Sequence, residues 1–146
     1  MNNPATTFFG WFTLSNVVDT NTLLTIGGTY NQFRVHYDPT NEPPFTTWEV
    51  RGSDMGIKGC EVFETLGEGV PFMVAAYYDG KKIGLSVNGS EWVENDAPNG
   101  LHEEVGMLFQ SAWNGGNAGP VSCSKFRIYP RVLTNAEIAS LYQEGA

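Results

Sequence analysis

The chain has 146 residues, of which 41% are hydrophobic, 13% aromatic and only 16% charged. This length predicts a single domain, 1–146, with a core large enough to fold without a stabilising metal or disulfide. The 16 acidic residues outnumber the 8 basic ones, and the formal net charge of -8 disfavours nucleic acid as a partner.

The N-terminal segment MNNPATTFFGWF has no basic flank and no apolar run of signal-peptide length. Apolar residues nowhere continue for the roughly 18 positions that a membrane-spanning helix needs. We therefore expect no membrane insertion and no signal peptide in this chain.

Alternation of apolar and polar residues predicts strands along much of the sequence. TTWEVRG and CEVFETL are two such segments, and QFRVHYD is another. In QFRVHYD the pattern directs Phe33, Val35 and Tyr37 towards a core. It leaves the residues between them in water, namely Arg34, His36 and Asp38.

The clearest local signal is FMVAAYYDGKKIGLSVNGSEWV, in which Asp79-Gly80 and Asn88-Gly89 separate runs of strand-forming residues. Both dipeptides favour the two-residue type I′ turn, whose central residues have positive φ. Two successive hairpins predict an antiparallel meander, with Ile83, Leu85 and Val87 on one face of its middle strand.

The segment FRIYPRVLTNAEIASLY predicts a last strand followed by a short helix. Thr134, with Glu137 three residues later, forms a capping box, and Leu133 and Ile138 are placed to make a hydrophobic staple. Gly145 is placed to end the helix. A helix this short is not stable alone in water, so its apolar face must dock on the sheets.

The only two cysteines, Cys60 and Cys123, each fall in a predicted strand. Two buried free thiols and one disulfide between two sheets both fit this placement. Because the chain is large enough to fold without a bridge, we favour the free thiols.

Three of these segments resemble laminin G-like, concanavalin A-like lectin domains. FRIYPRVLTNAEIASLY is similar to the family's C-terminal signature, in which a strand VRIYNRAL leads to S/T-x-x-E-I-x-x-L-Y. GVPFMVAAYYDGKKIGLSVNG looks like its central W-x-H-V-A-x-x-Y-D-G strand and the following V-N/D-G strand, with Val70, Pro71 and Phe72 in place of the Trp and His. WFTLSN with TLLTIGG resembles its early strand pair. The resemblance implies an all-β antiparallel β-sandwich, a jelly roll with one short C-terminal α-helix.

Members of this family bind glycans, proteins or calcium, and related folds include glycosidases. Retaining glycosidases of this fold carry E-x-D-x-E or E-x-D-x-x-E on one strand, with the carboxylates about 5 to 5.5 Å apart. The nearest candidates here, Glu61 and Glu64, are three residues apart and should face opposite sides of a strand. His36 and His102 lie near no Cys or Ser motif and are interpreted as polar surface. The sequence therefore predicts a protein that is not an enzyme.

A glycan site needs an aromatic face beside amide or carboxylate groups. Trp113, followed by Asn114 and Asn117, fits this pattern, and so does Tyr30. In the alternative interpretation Trp113 packs in the core and the glycines that follow it only turn the chain.

Calcium is a further candidate ligand. Asp19 with Asn21, and Glu94 with Asp96, supply the oxygen atoms that Ca²⁺ prefers. Asp and Asn are also ordinary turn residues, so the sequence establishes no cofactor and leaves both interpretations open.

The acidic composition favours a neutral or cationic partner, since segment 83–124 contains five acids and no Lys or Arg. We predict a non-catalytic, lectin-like module displayed on an extracellular or virion surface, where it binds a neutral glycan or a protein surface. The alternative is a virion structural accessory protein, a decoration, spike or fibre-tip module acting in assembly or attachment. A homo-oligomer or a place in a larger assembly is compatible with either role.

Overall fold

The structure is a computed structural model that describes residues 5–15, 21–27, 31–101, 107–109 and 121–146. These residues form the following elements: β1 (Thr6–Leu14), β2 (Asn21–Gly27), β3 (Asn31–Asp38), β4 (Phe45–Arg51), β5 (Ile57–Phe63), β6 (Phe72–Tyr78), β7 (Lys82–Val87), β8 (Val93–Asp96), β9 (Met107–Phe109), β10 (Val121–Tyr129) and α1 (Asn135–Glu144). No helix within these ranges is long and apolar enough to cross a membrane.

The strands form two five-stranded sheets that pack face to face around one core. Sheet I has the order β10-β1-β6-β7-β8, and sheet II has the order β5-β4-β3-β2-β9. The neighbouring strands of both sheets are antiparallel. The antiparallel β-sandwich with one C-terminal helix that the sequence predicts is therefore confirmed.

The core lies between the inner faces of the two sheets. In β3 the inward residues Phe33, Val35 and Tyr37 are all buried, as the alternation predicts. Trp48 of β4 is fully buried, and its ring stacks on that of Phe33 with the centroids 5.4 Å apart. Its Nε1 donates a hydrogen bond to the carbonyl oxygen of Tyr77 in β6, at 3.0 Å. This one side chain thus joins the two sheets by packing and by a hydrogen bond.

The second of the two predicted hairpin turns is confirmed. Asn88 and Gly89 both have positive φ, at 52° and 75°. The N–H of Ser90 donates to the carbonyl oxygen of Val87, which closes the type I′ turn.

The prediction for the first hairpin is wrong by one residue. The two residues between the paired Asp79 and Lys82 are Gly80 and Lys81, and only Gly80 has positive φ, whereas a type I′ turn needs it at both positions. The Asp79 carboxylate accepts hydrogen bonds from the N–H groups of Lys81 and Lys82. These bonds hold Asp79 at the start of the turn, where it keeps an ordinary φ.

Helix α1 covers part of the outer face of sheet I. The predicted capping box between Thr134 and Glu137 is present with both of its hydrogen bonds, and Gly145 ends the helix. Leu133 and Ile138 are buried, as the hydrophobic staple requires. Together they pack against the outward residues of β1 and β6, which are Phe9, Trp11, Met73 and Ala75. The docking of the helix on the sandwich is therefore confirmed.

Both cysteines are free thiols, as the favoured interpretation predicts, but only Cys60 is buried, and Cys123 is half-buried. Cys60 lies in β5, the edge strand of sheet II that contacts β8, whereas Cys123 lies in β10, at the opposite edge of sheet I. A disulfide needs Cα atoms less than about 7 Å apart, so this placement leaves no route to a bridge. Burial raises the pKa of both thiols, that of Cys60 to about 11, which keeps them protonated and unreactive at neutral pH.

Candidate functional site

Most of the predicted ligand-binding residues lie outside the described residues. Trp113, Asn114 and Asn117 fall within 110–120, Tyr30 falls within 28–30, and Asp19 falls within 16–20. Their assignment to a glycan or calcium site stays a prediction.

The remaining predicted calcium ligands are in strands. Asn21 begins β2, and Glu94 and Asp96 share one face of β8 because they are two residues apart. Glu94 accepts a hydrogen bond from the Tyr77 hydroxyl, and a carboxylate oxygen of Asp96 lies 3.8 Å from the Lys82 ammonium nitrogen. Within the described ranges, no three His, Cys, Asp or Glu side chains are grouped to hold a metal ion. Calcium binding therefore stays a prediction.

A different set of side chains forms a continuous surface on the outer face of sheet II. The register of β3, β4 and β5 aligns the outward residues of these strands in rows across the sheet. We call this side of sheet II the β3–β5 face. Its residues are Arg34, His36, Phe45, Thr47, Glu49, Arg51, Ile57, Gly59, Glu61 and Phe63, and of these His36 and Thr47 are buried.

One end of the β3–β5 face is aromatic. The Phe63 side chain is 55% exposed, and its ring centroid lies 5.8 Å from that of Phe45. The His36 imidazole also packs against Phe45, with the ring centroids 6.4 Å apart. An exposed ring held by aromatic neighbours provides the flat apolar surface on which a sugar ring can stack.

The carboxylate next to these rings is free to bind a ligand. Glu61 and Phe63 lie on the same face of β5, two residues apart and therefore about 7 Å apart along the strand. Glu61 is exposed, and its carboxylate has no hydrogen bond or ion pair within the part of the chain that the structure describes. It can therefore accept hydrogen bonds from the hydroxyls of a ring that stacks on Phe63.

Both arginines of this face are engaged in hydrogen bonds. Nε and Nη2 of Arg34 both donate to Oε2 of Glu49, at 3.1 and 2.7 Å, so the Glu49 carboxylate neutralises this guanidinium. Arg51 lies opposite Ile57, at the end of the face away from Phe63, and its Nη1 donates to the carbonyl oxygen of Met55 at 3.2 Å.

The prediction that His36 is polar surface is wrong, because its side chain is buried. It belongs to the middle strand of three, with Thr22 of β2 on one side and Thr47 of β4 on the other. Only 7% of the residue is exposed, and Nδ1 has no hydrogen-bond partner in the described ranges. Burial, and then the nearby positive charge of Arg34, lower the pKa of His36 from 6.5 to about 4. The imidazole is therefore neutral at neutral pH.

The two carboxylates nearest to a glycosidase motif lie on different sides of sheet II, as the sequence predicts. Glu61 points outward on the β3–β5 face. Glu64 follows the end of β5, and its Oε1 accepts a hydrogen bond from Nδ2 of Asn88, in the turn after β7 of sheet I. This arrangement differs from the facing carboxylate pair of a retaining glycosidase.

The sequence interpretation did not identify the β3–β5 face, although a signal for it exists. In GCEVF, the residues Gly59, Glu61 and Phe63 alternate with the inward Cys60 and Val62. An exposed phenylalanine two residues from a carboxylate on one strand face is the pattern that indicates such a site.

The sequence matches no protein-family model and no curated protein. Solved structures do have similar folds. The CBM40 of Ruminococcus gnavus IT-sialidase, bound to α2,3 sialyllactose, matches with a TM-score of 0.74 and 17% identity, over 95% of this chain and 83% of that one. A native heptameric SAP-like pentraxin from Limulus polyphemus matches with a TM-score of 0.67 and 12% identity, over 97% and 72% of the two chains.

The receptor-binding domain of botulinum neurotoxin type G is also similar, with a TM-score of 0.71 and 11% identity. The match covers 98% of this chain but only 38% of the toxin chain, so this chain spans little more than a third of that domain. At these identities the similarity establishes the fold, a jelly-roll β-sandwich, and leaves the ligand open. Membership of the laminin G-like family stays a prediction.

Proposed function

We propose that this chain is a non-catalytic, lectin-like recognition module that binds a glycan through the β3–β5 face. The observation that carries the proposal is the exposed Phe63 ring beside the unpaired carboxylate of Glu61, with Phe45 packed against the ring. Binding sites for small ligands commonly combine an apolar or aromatic surface with a few polar groups that fix the orientation. The CBM40 with bound sialyllactose supports a glycan as the ligand class, since that protein has a similar fold and binds a glycan.

The charges of this face favour a neutral glycan over a sialylated, sulfated or phosphorylated one. Glu61 has no ionic partner among the described residues, Arg34 is neutralised by Glu49, and His36 is uncharged at neutral pH. Arg51 lies at the other end of the face from Phe63, where it donates to the carbonyl oxygen of Met55. The whole chain has a net charge of -8, which adds long-range repulsion of anionic ligands. We expect hydroxyl groups of a neutral sugar to donate to Glu61 while the ring stacks on Phe63.

A glycan array tests this proposal with the wild type, Phe63→Ala and the matched control Ile128→Ala. Ile128 is 49% exposed, close to the 55% of Phe63, but it lies in β10 of sheet I. We expect Phe63→Ala to weaken binding to the best array ligand about tenfold, which is about 1.4 kcal/mol, because the stacking surface is lost. Ile128→Ala should bind like the wild type.

The same array separates the ligand classes when it carries each glycan with and without terminal sialic acid. Tighter binding of the sialylated members would overturn the neutral-glycan assignment. A wild type that binds no glycan, or an equal loss in both variants, would overturn the proposed site.

The non-catalytic assignment has a test of its own. Incubation of the protein with the glycans that it binds should release no reducing sugar. Release of sugar that Glu61→Gln abolishes would overturn the assignment.

A module of this kind would act where glycans are displayed. We accordingly propose an extracellular or virion surface as its place of action. Binding of the native full-length protein to intact glycan-bearing cells, lost in Phe63→Ala, would support that location.

A further inference from the structure

Gly59 lies in the middle of β5, at a position where the fold does not need a glycine. The pairing of β4 with β5 has no bulge at Gly59, and the φ of this residue is not in the positive range that favours glycine. A Cβ added here would lie 3.4 Å from the carbonyl oxygen of Trp48 and 3.6 Å from Oγ1 of Thr47. These are ordinary van der Waals distances, so an alanine would fit.

Two other strand glycines in the described ranges have an evident structural reason. A Cβ added to Gly84 would lie 2.2 Å from Cε1 of Tyr77, whose ring crosses β7 to reach Glu94. A Cβ added to Gly10 would lie 2.9 Å from Cε2 of Phe12. Among the described residues Gly59 has no such neighbour. A glycine within a strand often marks a bulge or a site where a ligand or another backbone approaches closely. Since β5 has no bulge here and no described backbone comes closer to the added Cβ than 3.4 Å, we take a ligand as the reason for Gly59.

The surroundings of Gly59 form a linear track along β5. Glu61 and Phe63 lie on one side of it, and Ile57, which is 50% exposed, lies on the other. The distance from Ile57 to Phe63 is about 20 Å, since a strand rises about 3.4 Å per residue. The track thus has an apolar side chain at each end, Ile57 and Phe63, and Gly59 between them has no side chain.

The track continues beyond Ile57 into a pocket of about 280 Å³. Its lining includes Asp54 of the β4–β5 turn, Lys58 of β5, Asp96 at the end of β8 and Asn99 of the segment after it. The β4–β5 turn and the segment after β8 are joined, because the N–H and the hydroxyl of Ser53 both donate to the carbonyl oxygen of Asn99, at 3.4 and 2.9 Å. Carboxylate and amide groups at this end can bind further sugar hydroxyls.

We propose that the glycan bound by the β3–β5 face is an internal stretch of an extended, uncharged polysaccharide, which lies along β5 from Phe63 over Gly59 to Ile57. This inference rests on the proposed glycan-binding function. A terminal sugar would occupy only one end of the track and would leave Gly59 without a role.

The occupant lies on the face of β5 and not along its edge. The carbonyl oxygen of Gly59 already accepts a hydrogen bond from Nδ2 of Asn95, at 2.9 Å, so the edge is partly closed to an added strand. At the Ile57 end Asp54 is accompanied by the basic residues Lys58 and Arg51, so neither sign of charge dominates there. The negative charge of Glu61, together with the net charge of -8, disfavours a second copy of this acidic chain and a polyanion along the whole track. An uncharged chain of sugars needs no free strand edge, and these charges do not repel it.

The test measures the affinity of the wild type for linear malto-, cello-, xylo- and manno-oligosaccharides, from disaccharide to hexasaccharide. We expect the affinity for at least one series to rise with each added unit to the tetrasaccharide or beyond. Gly59→Val should weaken the binding of the hexasaccharide at least tenfold and raise or preserve the melting temperature, since valine favours strands. Gly59→Ala should show a smaller loss of binding, and Ser122→Val, at an exposed position of the edge strand β10, should bind like the wild type.

An affinity that does not depend on chain length would overturn the inference, and so would unchanged binding by Gly59→Val. A large fall in melting temperature of both Gly59→Ala and Gly59→Val would also overturn it, because the fold itself would then need the glycine. These outcomes differ from the failure of the proposed function, in which the wild type binds no glycan on the array.

Discussion

Replacement of Trp48 by alanine is expected to lower the free energy of unfolding by about 3 to 5 kcal/mol, the cost of truncating a large buried aromatic side chain. Trp48 is fully buried, stacks on Phe33 and contacts Phe8, with ring centroids 5.4 and 6.0 Å away. The total stability of a domain is about 5 to 15 kcal/mol, so this one change removes a large share of it. Urea denaturation followed by circular dichroism measures the loss.

Trp48→Phe separates packing from hydrogen bonding in the same experiment. It keeps an aromatic ring in the core but removes the Nε1 donor to the carbonyl oxygen of Tyr77. The register also pairs Tyr77 with Gly84 in the β6–β7 ladder, so the carbonyl keeps a backbone partner. Loss of one hydrogen bond costs about 0.5 to 1.5 kcal/mol, so the phenylalanine variant should fall between the wild type and Trp48→Ala. A loss below about 1 kcal/mol in Trp48→Ala would contradict the assignment of Trp48 as the residue that joins the two sheets.

Acidification is expected to destabilise the fold before most carboxylates titrate, because of His36. Its pKa in the folded protein is about 4, against 6.5 for the unperturbed imidazole, and burial is the largest cause. The unfolded chain therefore binds a proton at a higher pH than the folded chain. The stabilising contribution is fully present above about pH 6.5 and is lost as the pH falls through about 4. The loss should be about 3 kcal/mol by pH 4, since one pKa unit is worth about 1.4 kcal/mol.

The control is His36→Gln, which has no titrating group at this position. Arg34, Glu49 and Asp38 are the charged groups that influence the His36 pKa, and all three remain in the variant. Melts between pH 7 and about pH 4 should show a clearly smaller slope of stability against pH in His36→Gln. An equal slope in both proteins would show that another group causes the acid sensitivity.

The elements that the sequence predicts correctly are those whose signals are local. The Asn88-Gly89 turn and the Thr134 capping box each depend on a few neighbouring residues. The alternation in β3 identifies the inward residues because one face of a strand must be buried. The first hairpin turn lies one residue further along the chain than the Asp79-Gly80 dipeptide predicts. The reason is that the Asp79 carboxylate accepts hydrogen bonds from two backbone N–H groups, and these bonds compete with the turn type that the dipeptide favours.

The features that the sequence does not predict depend on contacts between distant strands. His36 is buried where side chains of neighbouring strands pack against it, among them the Phe45 ring of β4, and the sequence pattern of β3 carries no information about those neighbours. The β3–β5 face likewise arises only when the register brings Phe45 beside Phe63. Glu61 and Phe63 could have been paired from the strand pattern alone, but the absence of a competing partner for Glu61 could not.

Chemical-shift mapping of the amide groups during titration with the best array glycan tests the central claim most directly. The β3–β5 face predicts the largest shifts at Phe45, Thr47, Glu61 and Phe63, and also at Gly59 and Ile57 when the glycan is long. Shifts that are confined to 113–117 would contradict this site and would support the earlier prediction for Trp113. Shifts that are confined to Tyr129, Ser140 and Leu141, which line a separate pocket beside α1, would contradict both assignments.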